Sequence, residues 1–241
     1  MNKFIKLYGF HAAIHALANP DRKISKILIT ENARKKIINK TSINLDKFVH
    51  EIVTTKKLNS QLSPGSVHQG IVLICEQKKL NTINNINIKN IQKIILLDNI
   101  SDPRNIGAIL RTCAAYDFTT VISTNRFDQL DEGLIAKSSS GGIEYTNIIT
   151  SSNLSNILEF LKKNNFWLIG FDSDGLSNIN EMNFGADDKI VLIFGDEGKG
   201  IRNLTKNKCH GIYKLDTIGN IKSLNVSVAI GIVLDKITTH N

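Results

Sequence analysis

Ser223, Asn225 and Ser227 alternate with Leu224, Val226 and Val228 where an apolar helix must begin. With Ile230, Ile232, Val233 and Leu234, these apolar residues leave the helix almost no solvated face, so protein has to cover it on nearly all sides. Ser and Asn at such a point accept hydrogen bonds from the free N–H groups of a first turn, yet capping occupies only one of the three. The others, preceded by the Gly-containing loop that starts at Leu215, read as part of a pocket wall. Two further segments share this layout. Ile94 to Asp98 runs into a polar loop and then Asn105, Gly107 and Arg111; Ile190 to Phe194 runs into Gly195-Asp196-Glu197-Gly198-Lys199-Gly200. Glycine lets backbone approach a ligand closely, and loops of this kind lie at the C-terminal edge of a parallel sheet, where open α/β folds bind ligands.

The elements that would position these loops follow from the hydrophobic pattern. Strands are expected at 94–98, 119–123, 166–171, 190–194 and 212–215, alternating with helical stretches near 106–116, 130–137, 153–164, 200–207 and 224–238. That alternation argues for a mainly parallel α/β sheet. Ahead of it, 9–17 and 32–39 read as helices and 25–29, 48–53 and 69–75 as strands, with a short helix also expected within 45–60. The stretch 79–91, rich in Asn and without a helical apolar stripe, reads as a linker, which divides the chain into a small α/β unit at 1–78 and a larger one at 92–241. Chains rarely thread their own loops, so the pattern by itself gives a plain Rossmann-like sheet.

Composition narrows the partner more than the chemistry. In 241 residues, 41% hydrophobic content suffices for real cores, and a net charge of +8 favours a polyanion. Arg22-Lys23, Arg34-Lys35-Lys36 and Lys56-Lys57 concentrate that charge in the first third, where it would attract phosphates irrespective of sequence; a solvated basic surface has the same composition. Cys75, Cys113 and Cys209 are odd in number and widely spaced, which fits a reducing compartment and neither a disulfide framework nor a zinc site. The first twenty residues do not form a secretory signal, and no apolar run reaches membrane-spanning length, so a cytoplasmic protein without membrane contact is expected. No metal site is expected either. His11 and His15 have i,i+4 spacing but no Glu after the first, and Asp172-Ser173-Asp174-Gly175 lacks the rest of a calcium loop and reads as a turn. Cys113 reads as core, and His68-Gln69-Gly70 as either an RNA contact or a buried turn.

In this order the three segments resemble the three motifs of the SpoU (TrmH-type) RNA ribose 2'-O-methyltransferases of the SPOUT superfamily. Asn105 with Arg111 resembles the first motif, Gly195-x-Glu197-Gly198-x-Gly200 the second, and Ser223-Leu224-Asn225-Val226-Ser227-Val228-Ala229 the third. Lys137 to Glu144 is similar to the family's connecting segment. Tyr8-Gly9-Phe10-His11-Ala12-Ala13 and Val67-His68-Gln69-Gly70-Ile71-Val72 are similar to the accessory substrate-binding domain of the branch that modifies large-subunit ribosomal RNA. The resemblance implies a trefoil-knotted α/β catalytic domain behind a small RNA-binding domain, S-adenosyl-L-methionine as cofactor, and a homodimer packed through the first and last catalytic helices. The all-round apolar character of 224–234 supports the dimer independently.

By the same resemblance, backbone groups of Gly195, Leu215 and Leu224 would hold the cofactor, Arg111 would act on the ribose hydroxyl, and Asn105, Glu197, Ser223 and Asn225 would form its polar shell. A guanidinium stays protonated up to about pH 12 and only donates hydrogen bonds, so Arg111 is read as gripping an RNA phosphate, with that phosphate, Glu197 or water taking the proton. Leu215-Asp216-Thr217 departs from the family's Ile-Pro-Met, removing a fixed φ and adding a charge near a sulfonium. The expected substrate is a guanosine of 23S ribosomal RNA. Transfer RNA, or a non-catalytic RNA-binding role in ribosome assembly, are the alternatives; a nicotinamide enzyme is disfavoured because the Gly195 loop is not G-x-G-x-x-G.

Overall fold

The structure, a computed structural model, describes residues 4–124, 127–151, 153–185, 187–221 and 223–239; Lys222 of the C-terminal run lies outside them. The first sheet joins β1 (Phe4–Tyr8), β2 (Ile24–Ile29), β3 (His50–Ile52) and β4 (Ile71–Glu76) in the order β1-β4-β2-β3. Helices α1 (Phe10–Ala18), α2 (Glu31–Lys40) and the short α3 (Thr55–Asn59) accompany it. Thr30 caps α2 by accepting the Ala33 N–H, which fixes where that helix leaves β2. β1 has no counterpart in the sequence reading. It pairs antiparallel with β4 from Phe4↔Glu76 to Tyr8↔Val72, and a five-residue edge strand carrying Lys6 gives too short an alternation to stand out.

The second sheet has seven strands: β5 (Lys93–Asp98), β6 (Thr120–Ser123), β7 (Asn147–Thr150), β8 (Trp167–Phe171), β9 (Ser177–Asn178), β10 (Ile190–Gly195) and β11 (Gly211–Lys214). Their order is β7-β6-β5-β10-β8-β11-β9, and every paired neighbour is parallel. The α/β class and parallel sheet are as expected, while β7 and the two-residue β9 are additional. Strands β5, β8 and β10 are apolar almost throughout, as strands covered on both faces must be. From β5 the chain winds through β6 to β7, then returns to build the other half through β10. The switch therefore lies between β5 and β10, where Gly195 pairs with Asp98.

Around this sheet lie α4 (Pro103–Ala115), α5 (Glu132–Ser138), α6 (Leu154–Lys163), α7 (Asn203–Lys206) and α8 (Val226–Thr239). Helix α4 starts three residues earlier than its apolar stripe, because Asp102 caps it through the Arg104 N–H and Pro103 occupies the first turn. Asn105 is thereby helical and aimed by the first turn. Residues 79–91 hold two 3-10 turns whose Ile83, Ile86, Ile88 and Ile91 pack against the core beneath β5, β6 and β10. Asn81 continues the sheet past β7, its N–H donating to the Ile148 carbonyl at 2.9 Å.

The two sheets meet through a buried ion cluster. Arg22, 3% exposed in its side chain, reaches Glu132 Oε1 and Glu144 Oε1, both at 2.7 Å, from carboxylates that are 1% and 2% exposed. Burial alone would favour a neutral guanidinium, but the two carboxylates outweigh it and raise the Arg22 pKa. Glu132 also accepts the Lys78 N–H at 3.1 Å. Asn19 adds a 2.7 Å bond to Glu144, and Lys137 Nζ bonds Gln69 Oε1 at 2.9 Å.

Candidate active site

Three loops converge where β5, β8 and β10 end. The chain leaves β10 at the buried Gly195 and turns back at Gly200, whose N–H donates to the Asp196 carbonyl at 2.8 Å. A Cβ on Gly195 would lie 2.0 Å from the Gly200 carbonyl, so only glycine permits this closure. Gly200 itself has φ +62°, and beneath it the Asp172 carboxylate accepts the Ile201 N–H and pairs with Lys206 Nζ, both at 2.9 Å. Burial acts to raise the Asp172 pKa; the Ile201 N–H and Lys206 overcome it and hold the carboxyl below its usual 3.8. Next to it, the buried Asp98 takes Arg202 Nε at 2.6 Å and the Thr205 hydroxyl at 2.8 Å, clamping α7 onto the end of β5.

One carboxylate oxygen ties the three loops together. Glu197 Oε1 accepts Asn105 Nδ2 from α4 at 2.8 Å, Asn225 Nδ2 at 2.5 Å and the Val226 N–H at the start of α8 at 3.4 Å. Asn225 Nδ2 also donates to Asn105 Oδ1 at 3.0 Å, while its own Oδ1 accepts the Ser227 N–H at 2.9 Å and the Ser227 hydroxyl at 2.5 Å. Asn225 is thus the cap of α8 as well as a member of the cluster, and Glu197 sits where the helix dipole favours a negative charge. Beside the cluster a cleft is lined by Gly195, Glu197, Leu215, Thr217, Ser223 and Leu224. Phe171 and Phe194 stack in its wall with centroids 4.9 Å apart.

Asn105, Glu197 and Asn225 are therefore brought together, and Gly195, Leu215, Ser223 and Leu224 share the adjoining cleft. Arg111 is not with them in this chain. It lies about 1.7 turns along α4 from Asn105 and so points from another face, into a separate groove with His11, His15 and Tyr145. Asp216 is outside the cleft lining, and its carboxylate is turned to Asn178 Nδ2 on β9, leaving Leu215 and Thr217 to face the cleft.

Sequence reading passed over Asp172, Asp174 and Lys206, which all line the cleft. The turn expected at 172–175 is present, with the Gly175 N–H donating to the Asp172 carbonyl at 3.1 Å. The available signal was position, since these residues follow β8 at the ligand-binding edge.

Residues 92–235 match the SpoU rRNA Methylase family, and residues 6–80 match the RNA 2'-O ribose methyltransferase substrate-binding family. The chain belongs to the SpoU rRNA methylase family. Its relatives include the 23S rRNA (guanosine-2'-O-)-methyltransferase RlmB of Coxiella burnetii, 28% identical over 97% of this chain and 95% of that protein. An uncharacterized tRNA/rRNA methyltransferase of Borreliella burgdorferi is 40% identical over 60% of this chain and 62% of its own length. The SpoU methyltransferase AviRb of Streptomyces viridochromogenes, solved with AdoMet, superposes with a TM-score of 0.79 at 15% identity, covering 98% of this chain and 90% of that one, which shows a shared fold. As a SpoU methylase, the protein is a methyltransferase of RNA ribose 2'-oxygens.

Proposed function

We propose that the protein transfers the methyl group of S-adenosylmethionine to the ribose 2'-hydroxyl of a guanosine in 23S ribosomal RNA. The observation that carries this reading is the Asn105–Glu197–Asn225 cluster at the mouth of the cleft. The donor set fits the cofactor. Leu215, Leu224, Val226 and the Phe171–Phe194 stack offer an apolar seat for a purine, backbone of the Gly195 loop offers hydrogen bonds, and Asp172, Asp174 and Glu197 suit a ligand bearing a sulfonium and an ammonium. When bound, the cofactor supplies an activated methyl group to an incoming oxygen nucleophile.

The chain's own residues then have separable duties. Backbone of Gly195, Leu215 and Leu224 holds the cofactor, so the side-chain change at Asp216-Thr217 is tolerated. A ribose hydroxyl is a weak nucleophile until its proton is removed or polarised. Glu197 keeps Oε2 outside the three bonds made by Oε1, as an acceptor for that hydroxyl, and Asn105 and Asn225 fix its direction. Ser223 lines the approach. Arg111 grips an RNA phosphate and aligns the ribose, where orientation contributes on the order of 7–11 kcal/mol in favourable cases.

The rest of the reading concerns assembly. Residues 1–78 form the RNA-holding unit, 79–91 the connection and 92–241 the catalytic unit, knotted through the 195–202 and 215–225 loops. Leu224, just ahead of α8, and Val228 and Ile232 on it are apolar yet 37%, 50% and 43% exposed, whereas Val226, Ile230, Val233, Leu234 and Ile237 of the same helix are buried. Those exposed apolar residues support the homodimer, and a second copy covering them would bring the partner's Arg111 to the cleft. The deciding test is transfer of labelled methyl from S-adenosylmethionine to protein-free large-subunit rRNA, small-subunit rRNA and bulk tRNA, with mapping of the modified ribose. Label on one large-subunit guanosine is expected. Label on tRNA overturns the substrate, and no label with no cofactor binding overturns the activity.

A further inference from the structure

The groove beside Arg111 is built from both units. His11 and His15 come from α1, Arg111 from α4, and Ser140, Gly142 and Tyr145 from the segment that follows α5. Two glycines hold these parts at their separation. A Cβ on Gly141, which has φ +90°, would lie 2.6 Å from His15 Cβ, and one on Gly142 would lie 2.9 Å from Arg111 Cα. The segment is thus pressed against the histidine and the arginine at once. Tyr145 is 53% exposed, yet its ring is fixed by a 2.6 Å hydrogen bond to His15 Nδ1 and an edge contact with centroids 5.3 Å apart. His11 is exposed one turn away. Arg111 forms no ion pair among the described residues, and Glu144, the nearest acid in sequence to Tyr145, is turned inward to Arg22. The groove thus sets an exposed, immobilised aromatic ring beside a guanidinium that forms no ion pair among the described residues.

We infer that this groove is the seat of one unpaired nucleotide flanking the modified ribose, its base stacked on Tyr145 and edged by His11, and its phosphate held by Arg111. The inference rests on the RNA methyltransferase reading and deepens it by naming a subsite. Single-stranded RNA is recognised through bases splayed onto aromatic rings and phosphates held by Arg, and stacking tolerates any base because each has a π-face. A base-paired nucleotide does not fit, since its faces are covered by neighbours in the helix. His15 acts through Tyr145: neutral, it accepts the phenol proton at Nδ1 and sets the ring plane. It is a positioning residue, while Tyr145 and His11 touch RNA.

The experiment uses the full chain and two readouts. In direct binding, a single-stranded oligoribonucleotide carrying one 2-aminopurine is titrated with protein, and stacking on Tyr145 is expected to quench its fluorescence. Tyr145→Ala and His11→Ala should lose most of that quench, Tyr145→Phe, which keeps the ring and loses the bond to His15, should retain the larger part of it, and the same label within a duplex should not respond. In methyl transfer, Tyr145→Ala should raise KM for large-subunit rRNA about tenfold, the size of one lost stack, with a smaller change in kcat and unchanged calorimetric affinity for S-adenosylmethionine. That last measurement also reports folding. Equal quenching by Tyr145→Ala and wild type, equal quenching of duplex and single strand, or a Tyr145→Phe variant as impaired as Tyr145→Ala would each overturn the proposal. Binding and quench do not require turnover, so failure of the methyltransferase reading would appear separately, as absent transfer by the wild type.

Discussion

Asn105 and Glu197, ninety-two positions apart in sequence, are joined by a 2.8 Å hydrogen bond from the amide of one to the carboxylate of the other. The bond ties the first turn of the helix after the first central strand to the loop after the second. Glu197→Ala removes the shared acceptor and leaves two amides and a helix N–H without it. Methyl transfer should fall by about 10²–10⁴-fold, the range of a lost general acid–base group, whereas cofactor affinity by calorimetry should change far less. Comparable losses in both would make Glu197 a cofactor ligand instead.

Gly195→Ala should act through sterics. Its new Cβ would meet backbone 2.0 Å away, so the loop must move rather than a side chain yield. A cost of about 1–3 kcal/mol is expected in chemical denaturation, together with loss of measurable S-adenosylmethionine binding.

Asp216→Ala should alter cofactor affinity by no more than about threefold, or roughly 0.7 kcal/mol. Its carboxylate faces Asn178 and not the cleft, so the charge that replaces the family's proline is spent on the sheet edge. A tenfold gain in affinity would show that the charge reaches the ligand.

Asp172 gives a pH signature. Its folded-state pKa is below the usual value, so the stability it contributes is present above that value and lost as pH falls through the folded one. Asp172→Asn should therefore be less stable than wild type at neutral pH, and the gap measured by denaturant melts should close below about pH 4, under the ordinary carboxylate range.

Ile232→Asp would place a charge in the apolar stripe of the last helix. Sedimentation should show a dimer for wild type and a monomer for the variant, with activity falling in parallel. A wild-type monomer would sink the dimer proposal.

Much of this site was legible because its chemistry is local. Glu197 follows a strand end by two residues and Asn225 begins an apolar helix, and the resembled motifs named both because those motifs sit at such local junctions. The cleft's floor was not legible, because Asp172 and Lys206 meet only after parallel pairing brings the ends of distant strands together. Helix α4 began earlier than its stripe because a cap and a proline, rather than hydrophobicity, decide a helix start. The opening strand escaped because five residues at a sheet edge carry little pattern. The apolar run 224–234, which leads into the last helix, announced a need for cover that one chain leaves unmet at Leu224, Val228 and Ile232.

The Arg22 cluster has a mechanical consequence. An ion triad sealed from water holds over a narrow range of distance, and parting it would strand two carboxylates in a dry interface, at a cost of about 3–5 kcal/mol. The four-stranded sheet therefore does not swing on a tether; it works as the fixed jaw of a caliper whose other jaw is the methyl-transfer cleft. On the proposed function, an RNA would be accepted when its anchoring element and its target ribose span that one gap, so spacing along the folded RNA, as much as base identity, would select the nucleotide that is modified.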